Sequence, residues 1–191
     1  MKRAIATSCS LLLILGSGTA MAAQSLAPAT SPSASLQPSP SIEEDIMRLT
    51  SPAFEHEGDI PARYTCDGDD ISPALVIEGL PEETVSLVVV MDDPDAPVGT
   101  WDHWVAYDIE PVTEIPEAVE GLGTPGVNSW DRTGYGGPCP PSGTHRYFFV
   151  VYALGTTLDW EPGADKVSVV GAIHDLSLIH ISEPTRLLVQ S

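Results

Sequence analysis

The chain has 191 residues, with 27 Asp and Glu against 8 Lys and Arg, a formal net charge of −19. No basic stripe is present to neutralise phosphates, which excludes binding to DNA or RNA and polybasic contact with a membrane surface. Hydrophobic residues make up 42%, with 16 Gly and 18 Pro, so one packed domain built from short strands and many turns is expected.

The first 22 residues read as a secretory signal peptide. Lys2 and Arg3 give a positive start, and the apolar run from Leu11 to Leu15 is too short to span a bilayer. Ala20-Met21-Ala22 then supplies the small-x-small cleavage pattern. Cleavage after Ala22 predicts a periplasmic or secreted protein without Cys9 and without a membrane span. Residues 23–48 are rich in Ala, Pro and Ser, then acidic at Glu43-Glu44-Asp45. Such a composition cannot offset chain entropy, so a disordered linker is expected before a domain over 49–175. There is no internal repeat.

Three apolar runs dominate the domain: Leu87 to Met91, Trp104 to Ile109 and Tyr147 to Leu154. Continuous and rich in β-branched or aromatic residues, they predict strands covered on both faces. Helical periodicity is confined to Ala164–His174, with Val167, Val170 and His174 near one face. Strands joined by Pro/Gly-rich connections, with one late helix, predict a mainly β fold: a β-sandwich with short helical decoration.

Residues able to do chemistry cluster at the ends of these runs. Asp92-Asp93-Pro94-Asp95-Ala96-Pro97 follows the first, Trp101-Asp102-His103 opens the second, and Gly134 to Tyr147 leads into the third. Proline stiffens the acidic loop, and glycine lets backbone approach a ligand closely. Two imidazoles and Tyr147 can donate to an oxyanion, and the N–H groups of Gly136 and Gly137 can add to them. Asp93 opposes a bare anion, but it can hold a neighbouring His protonated or receive an amine. The set therefore suits a zwitterionic head group or a singly protonated phosphoester.

Asp93-Pro94-Asp95-Ala96-Pro97, Trp101-x-His103-Trp104, Gly136-Gly137-Pro138-Cys139-Pro140-Pro141 and Gly143-Thr144-His145-Arg146-Tyr147 together resemble the phosphatidylethanolamine-binding protein family. Tyr64-Thr65-Cys66-Asp67-Gly68-Asp69-Asp70-Ile71-Ser72-Pro73 resembles its bacterial and archaeal Raf kinase inhibitor-like branch, the YbhB/YbcL type. The resemblance runs from about Ser51 to Asp175. It implies an antiparallel β-sandwich with an anion or phospho-head-group pocket and no established catalysis. Carried over residue by residue, the ligand-binding set is Asp93, Trp101, His103, Gly137, Pro140, Pro141, His145 and Tyr147. The implied partner is a small phosphorylated or anionic ligand of phosphoethanolamine type. No cofactor, metal or catalytic residue is implied. Ile77 departs from the Trp usual in the branch, and Asp131 from the common Gly.

Asp95 and Arg146 are expected to pair structurally, since a planar guanidinium suits a fixed carboxylate. Cys66 and Cys139 form an even pair in a compartment that permits disulfides, with two free thiols as the alternative. Two other functions fit the residue types. One is a metal-assisted hydrolase using Asp93, His103 and His145; the other is a secreted inhibitor of a protease or kinase.

Residues 176–191 stand apart. Leu176 to Arg186 matches one reading frame of a transposase sequencing adapter, and Leu187 to Ser191 would be further read-through. On that reading the closing C-terminal element of the sandwich is truncated.

Overall fold

Ser86 to Met91 are buried without interruption, as a strand covered on both faces requires, and the rest of the domain is arranged around them. The computed structural model describes residues 47–180 and 185–190. The segment expected to be a signal peptide and nearly all of the expected linker lie outside the described residues. The strands in chain order are β1 (Arg48–Thr50), β2 (Leu75–Glu78), β3 (Ser86–Asp93), β4 (Trp101–Ile109), β5 (Glu114–Ile115), β6 (Thr124–Pro125), β7 (Arg146–Leu154) and β8 (Thr185–Gln190). A helix, α1 (Lys166–His180), precedes β8.

Two antiparallel sheets form, one ordered β1-β2-β5 and the other β6-β4-β3-β7-β8. Leu49, Leu75, Ile77 and Ile115 of the small sheet pack against Leu87, Val89, Met91, Trp104, Phe149 and Val151 of the large one. The opposite face of the large sheet carries Val88, Val90, Val105, Tyr107 and Val150, covered by Val169 and Ile173 of α1. Alternate residues of β3 thus enter two separate apolar clusters. This double cover is the physical reason its sequence shows no polar alternation.

The register between β3 and β4 sets the geometry of their shared end. Val90 and Met91 pair with Val105 and Trp104, whereas Asp92 and Asp93 pair with Asp102 and Trp101. The one-residue shift leaves His103 as the extra residue of a β-bulge, which re-aims side chains at the strand end.

The helix differs from its sequence-based expectation in extent and in facing. It runs from Lys166 to His180 rather than ending at His174. Val169 and Ile173 point inward, while Val167 is 75% exposed and His174 is exposed. Asp165 caps its start by accepting the Ser168 N–H at 2.8 Å. After α1, the backbone of Thr185–Gln190 lies antiparallel along β7.

Candidate functional site

Asp93, at the last position of β3, is 3% exposed. One of its carboxylate oxygens accepts the Asp95 N–H at 2.8 Å, and the other accepts from His145 Nδ1 at 2.7 Å. The first bond folds the Asp-Pro-Asp turn; the second joins that turn to the residue before β7.

Trp101 stands opposite Asp93 across the strand pair. The bulge brings His103 onto the same face, where its ring lies 5.2 Å, edge to face, from that of Tyr147. His103 Nδ1 lies 2.7 Å from the Gly136 carbonyl oxygen. Because a carbonyl only accepts, Nδ1 carries the proton and Nε2 remains an acceptor in the neutral ring. Burial holds the His103 pKa below its ordinary value, outweighing the Gly136 bond and the Asp93 charge that act upward. At His103 desolvation outweighs the Asp93 charge, and the imidazole that Asp93 contacts directly is that of His145.

These groups wall a cavity of about 290 Å³, lined by Asp93, Ala96, Pro97, Val98, Trp101, His103, Trp130, Cys139, Pro141 and Tyr147. Two donors on residues of this lining, Trp101 Nε1 and the Tyr147 hydroxyl, are buried without a hydrogen-bond partner. Burial first, and then the Asp93 carboxylate, push the Tyr147 phenol well above its ordinary pKa. The Tyr147 hydroxyl therefore stays protonated.

Not every residue of the sequence-derived set lines this cavity. His145 stands behind Asp93 as its partner, and Pro140 is outside the lining. The N–H groups expected to cradle an anion are already engaged: Gly136 donates to His103 O at 3.0 Å and Gly137 to Asp70 Oδ1 at 2.6 Å. These glycines serve close packing instead. A Cβ on Gly136 would meet the Trp130 ring at 2.7 Å, and one on Gly137 would meet Tyr64 O and Asp70 Oδ1 at 2.6 Å.

Sequence reasoning missed Trp130. Its ring lies 4.9 Å from His103 and 5.5 Å from Trp101, edge to face in both cases. Buried Asn128 presents it by accepting the N–H groups of Trp130 and Arg132 and donating to Gly134 O. A tryptophan inside an Asn-Ser-Trp-Asp turn, remote from any apolar run, was the available signal.

Three further contacts stiffen the surroundings. Arg146 grips Asp95 through Nε at 2.8 Å and Nη2 at 2.6 Å, with its own N–H on the same carboxylate at 2.9 Å. Its guanidinium bonds hold the Asp95 carboxyl well below the usual range. Cys66 and Cys139 are joined as a disulfide with Cα atoms 5.5 Å apart, tying the cavity wall to the 3-10 turn at Ala62–Tyr64. On the far face of the sheet, Lys166 Nζ lies 2.9 Å from Asp92 and 2.5 Å from Asp102, directly behind Asp93 and Trp101.

Chemically, the cavity offers two unpartnered donors, one imidazole acceptor and one carboxylate. Among the described residues no group of three or more His, Cys, Asp or Glu could hold a metal ion.

Comparison with known proteins bears on the family and the fold. The family model "Phosphatidylethanolamine-binding protein" matches residues 50–180. A UPF0098 protein of Methanothermobacter thermautotrophicus is 50% identical over 134 residues, covering 66% of this chain and 89% of its own. One from Pyrococcus horikoshii is 49% identical over 134 residues, covering 65% and 68%. One from Archaeoglobus fulgidus is 54% identical over 113 residues and 56% of this chain, which spans only 39% of that relative's length. Among solved structures, a Chlamydia trachomatis protein described as a putative phosphatidylethanolamine-binding protein homolog superposes with a TM-score of 0.71. Its identity is 35%, covering 77% of this chain and 97% of that one. Escherichia coli YbcL, described as a new member of the mammalian family, gives 0.66 at 26% identity, covering 76% and 97%. With the motifs, the sandwich and the matched span in agreement, the chain belongs to the phosphatidylethanolamine-binding protein family.

Proposed function

We propose that the protein is an exported binder of a small phosphorylated or anionic ligand of phosphoethanolamine type, which it holds without converting. The observation carrying this reading is the pair of buried, unpartnered donors, Trp101 Nε1 and the Tyr147 hydroxyl, beside His103. Each such donor costs about 1–3 kcal/mol when left unmade, and an oxyanion accepting from both removes that cost. Neutral His103 supplies an acceptor and Asp93 a carboxylate, so the matching ligand brings a proton of its own. A singly protonated phosphate monoester meets that requirement, as does a head group whose ammonium faces Asp93.

The disulfide between Cys66 and Cys139 supports an oxidising compartment, as the signal-peptide pattern does. Both favour a periplasmic or secreted location. Metal-assisted hydrolysis has weaker support, because Asp93 and His145 face each other and His103 Nδ1 is held by Gly136. No feature of the described residues favours the inhibitor reading.

Calorimetric titration with phosphate and phosphoethanolamine tests the proposal. Saturable one-to-one binding that is weakened by His103→Ala in a folded protein supports it. Equal binding by wild type and variant contradicts it.

A further inference from the structure

In a chain of net charge −19, most of the surface repels an approaching anion. Among the described side chains, the Lys and Arg cations are almost all engaged with acids. Arg48 faces Glu78, Arg63 faces Asp69 and Glu117, Arg146 faces Asp95, and Lys166 faces Asp92 and Asp102. Among the Lys and Arg residues whose side chains are described, Arg132 is the one with no carboxylate partner.

Its position is not that of a stray surface charge. The guanidinium carbon lies 5.3 Å from the centroid of the Trp130 ring, a cation–π contact that restrains the side chain. Trp130 is itself a wall of the cavity, and its ring lies 4.9 Å from His103. The charge is thus within about 10 Å of the His103 ring, roughly one Debye length at about 0.1 M salt. Asn128 fixes the backbone on both sides of the contact, accepting from the N–H groups of Trp130 and Arg132.

We propose that Arg132 is the specificity-determining cation of this cavity, favouring phosphate monoesters over zwitterionic phosphodiesters whose single negative charge is balanced by an attached ammonium. The proposal rests on the reading of the cavity as an oxyanion site. A free monoester approaches with its full charge, and Arg132 offsets the repulsion from Asp93 and the acidic surface. A zwitterion has little net charge to attract and can present its ammonium to Asp93, so it gains less from Arg132.

The test compares wild type with Arg132→Ala, Arg132→Glu and Arg132→Lys, titrated with phenyl phosphate and with the net-neutral diester glycerophosphoethanolamine. Arg132 is exposed, and equal melting temperatures check that the variants fold alike. Phenyl phosphate affinity should fall about fivefold in Arg132→Ala and further in Arg132→Glu, be largely retained in Arg132→Lys, and lose its Arg132 dependence in about 0.5 M NaCl. Glycerophosphoethanolamine affinity should change less than about twofold, since a net-neutral ligand feels little of one screened charge. Arg132→Glu binding phenyl phosphate as wild type does overturns the proposal, as does an equal loss for both ligands. Wild type binding neither ligand overturns the oxyanion site itself, and with it the role of Arg132.

Discussion

His145 gives its Nδ1–H to the buried carboxylate of Asp93 at 2.7 Å, fastening the entry to β7 against the end of β3. The two side chains are only 10% and 5% exposed, so neither can replace the other with bulk water. Removing one partner leaves a buried charge short of a hydrogen bond. His145→Ala should therefore destabilise the domain by about 3 kcal/mol, with much of that loss recovered in Asp93→Asn/His145→Ala. Denaturant unfolding of the single and double variants gives the coupling. Additive losses would show that the contact carries no stability.

The His103 environment makes stability depend on pH in a defined direction. Its folded-state pKa lies below the ordinary value of 6.5 because the ring is buried. Between the two pKa values the unfolded chain holds a proton that the folded one lacks, so stability falls as pH drops below about 6.5. His103→Gln should flatten that part of the profile. An unchanged slope in the variant would show that the ring is not held neutral by the fold.

Cys66 and Cys139 are separated by 73 residues, and a bridge across so long a loop removes much unfolded-state freedom. Replacing both by Ser should cost about 2–5 kcal/mol. Mass spectrometry after alkylation without reduction should find neither cysteine labelled. Labelling at both would contradict the bridge.

The segment Leu176–Arg186 makes a prediction about DNA. The nucleotide read behind these codons should carry the adapter sequence, and an independently sequenced copy of the gene should diverge after about Asp175. The same tail in an independent genome would contradict that reading.

The sequence showed the three long strands because their burial on both faces leaves continuous apolar runs, and it showed the pocket motifs because Pro and Gly punctuate the strand ends. It hid what register decides. Strict alternation places Trp104 on the face opposite Trp101 and His103, yet the bulge at His103 brings Trp101, His103 and Trp104 all toward the inner face. Trp130 was hidden for a different reason: its place depends on Asn128 and on the absence of a Cβ at Gly136, both contacts across a loop. The inward face of α1 was misread because Val169 and Val170 offer nearly equal apolar faces. Tertiary packing selects Val169 with Ile173.

The central claim is that an oxyanion accepts from the buried indole N–H of Trp101. The chain has four tryptophans, so a ¹H–¹⁵N spectrum resolves few indole signals, and Trp101→Phe identifies the one that matters. Titration with phosphoethanolamine should shift the Trp101 indole proton downfield, saturably and at the calorimetric affinity. The Trp104 signal should move far less. A Trp101 signal that stays still while the ligand binds would contradict the account.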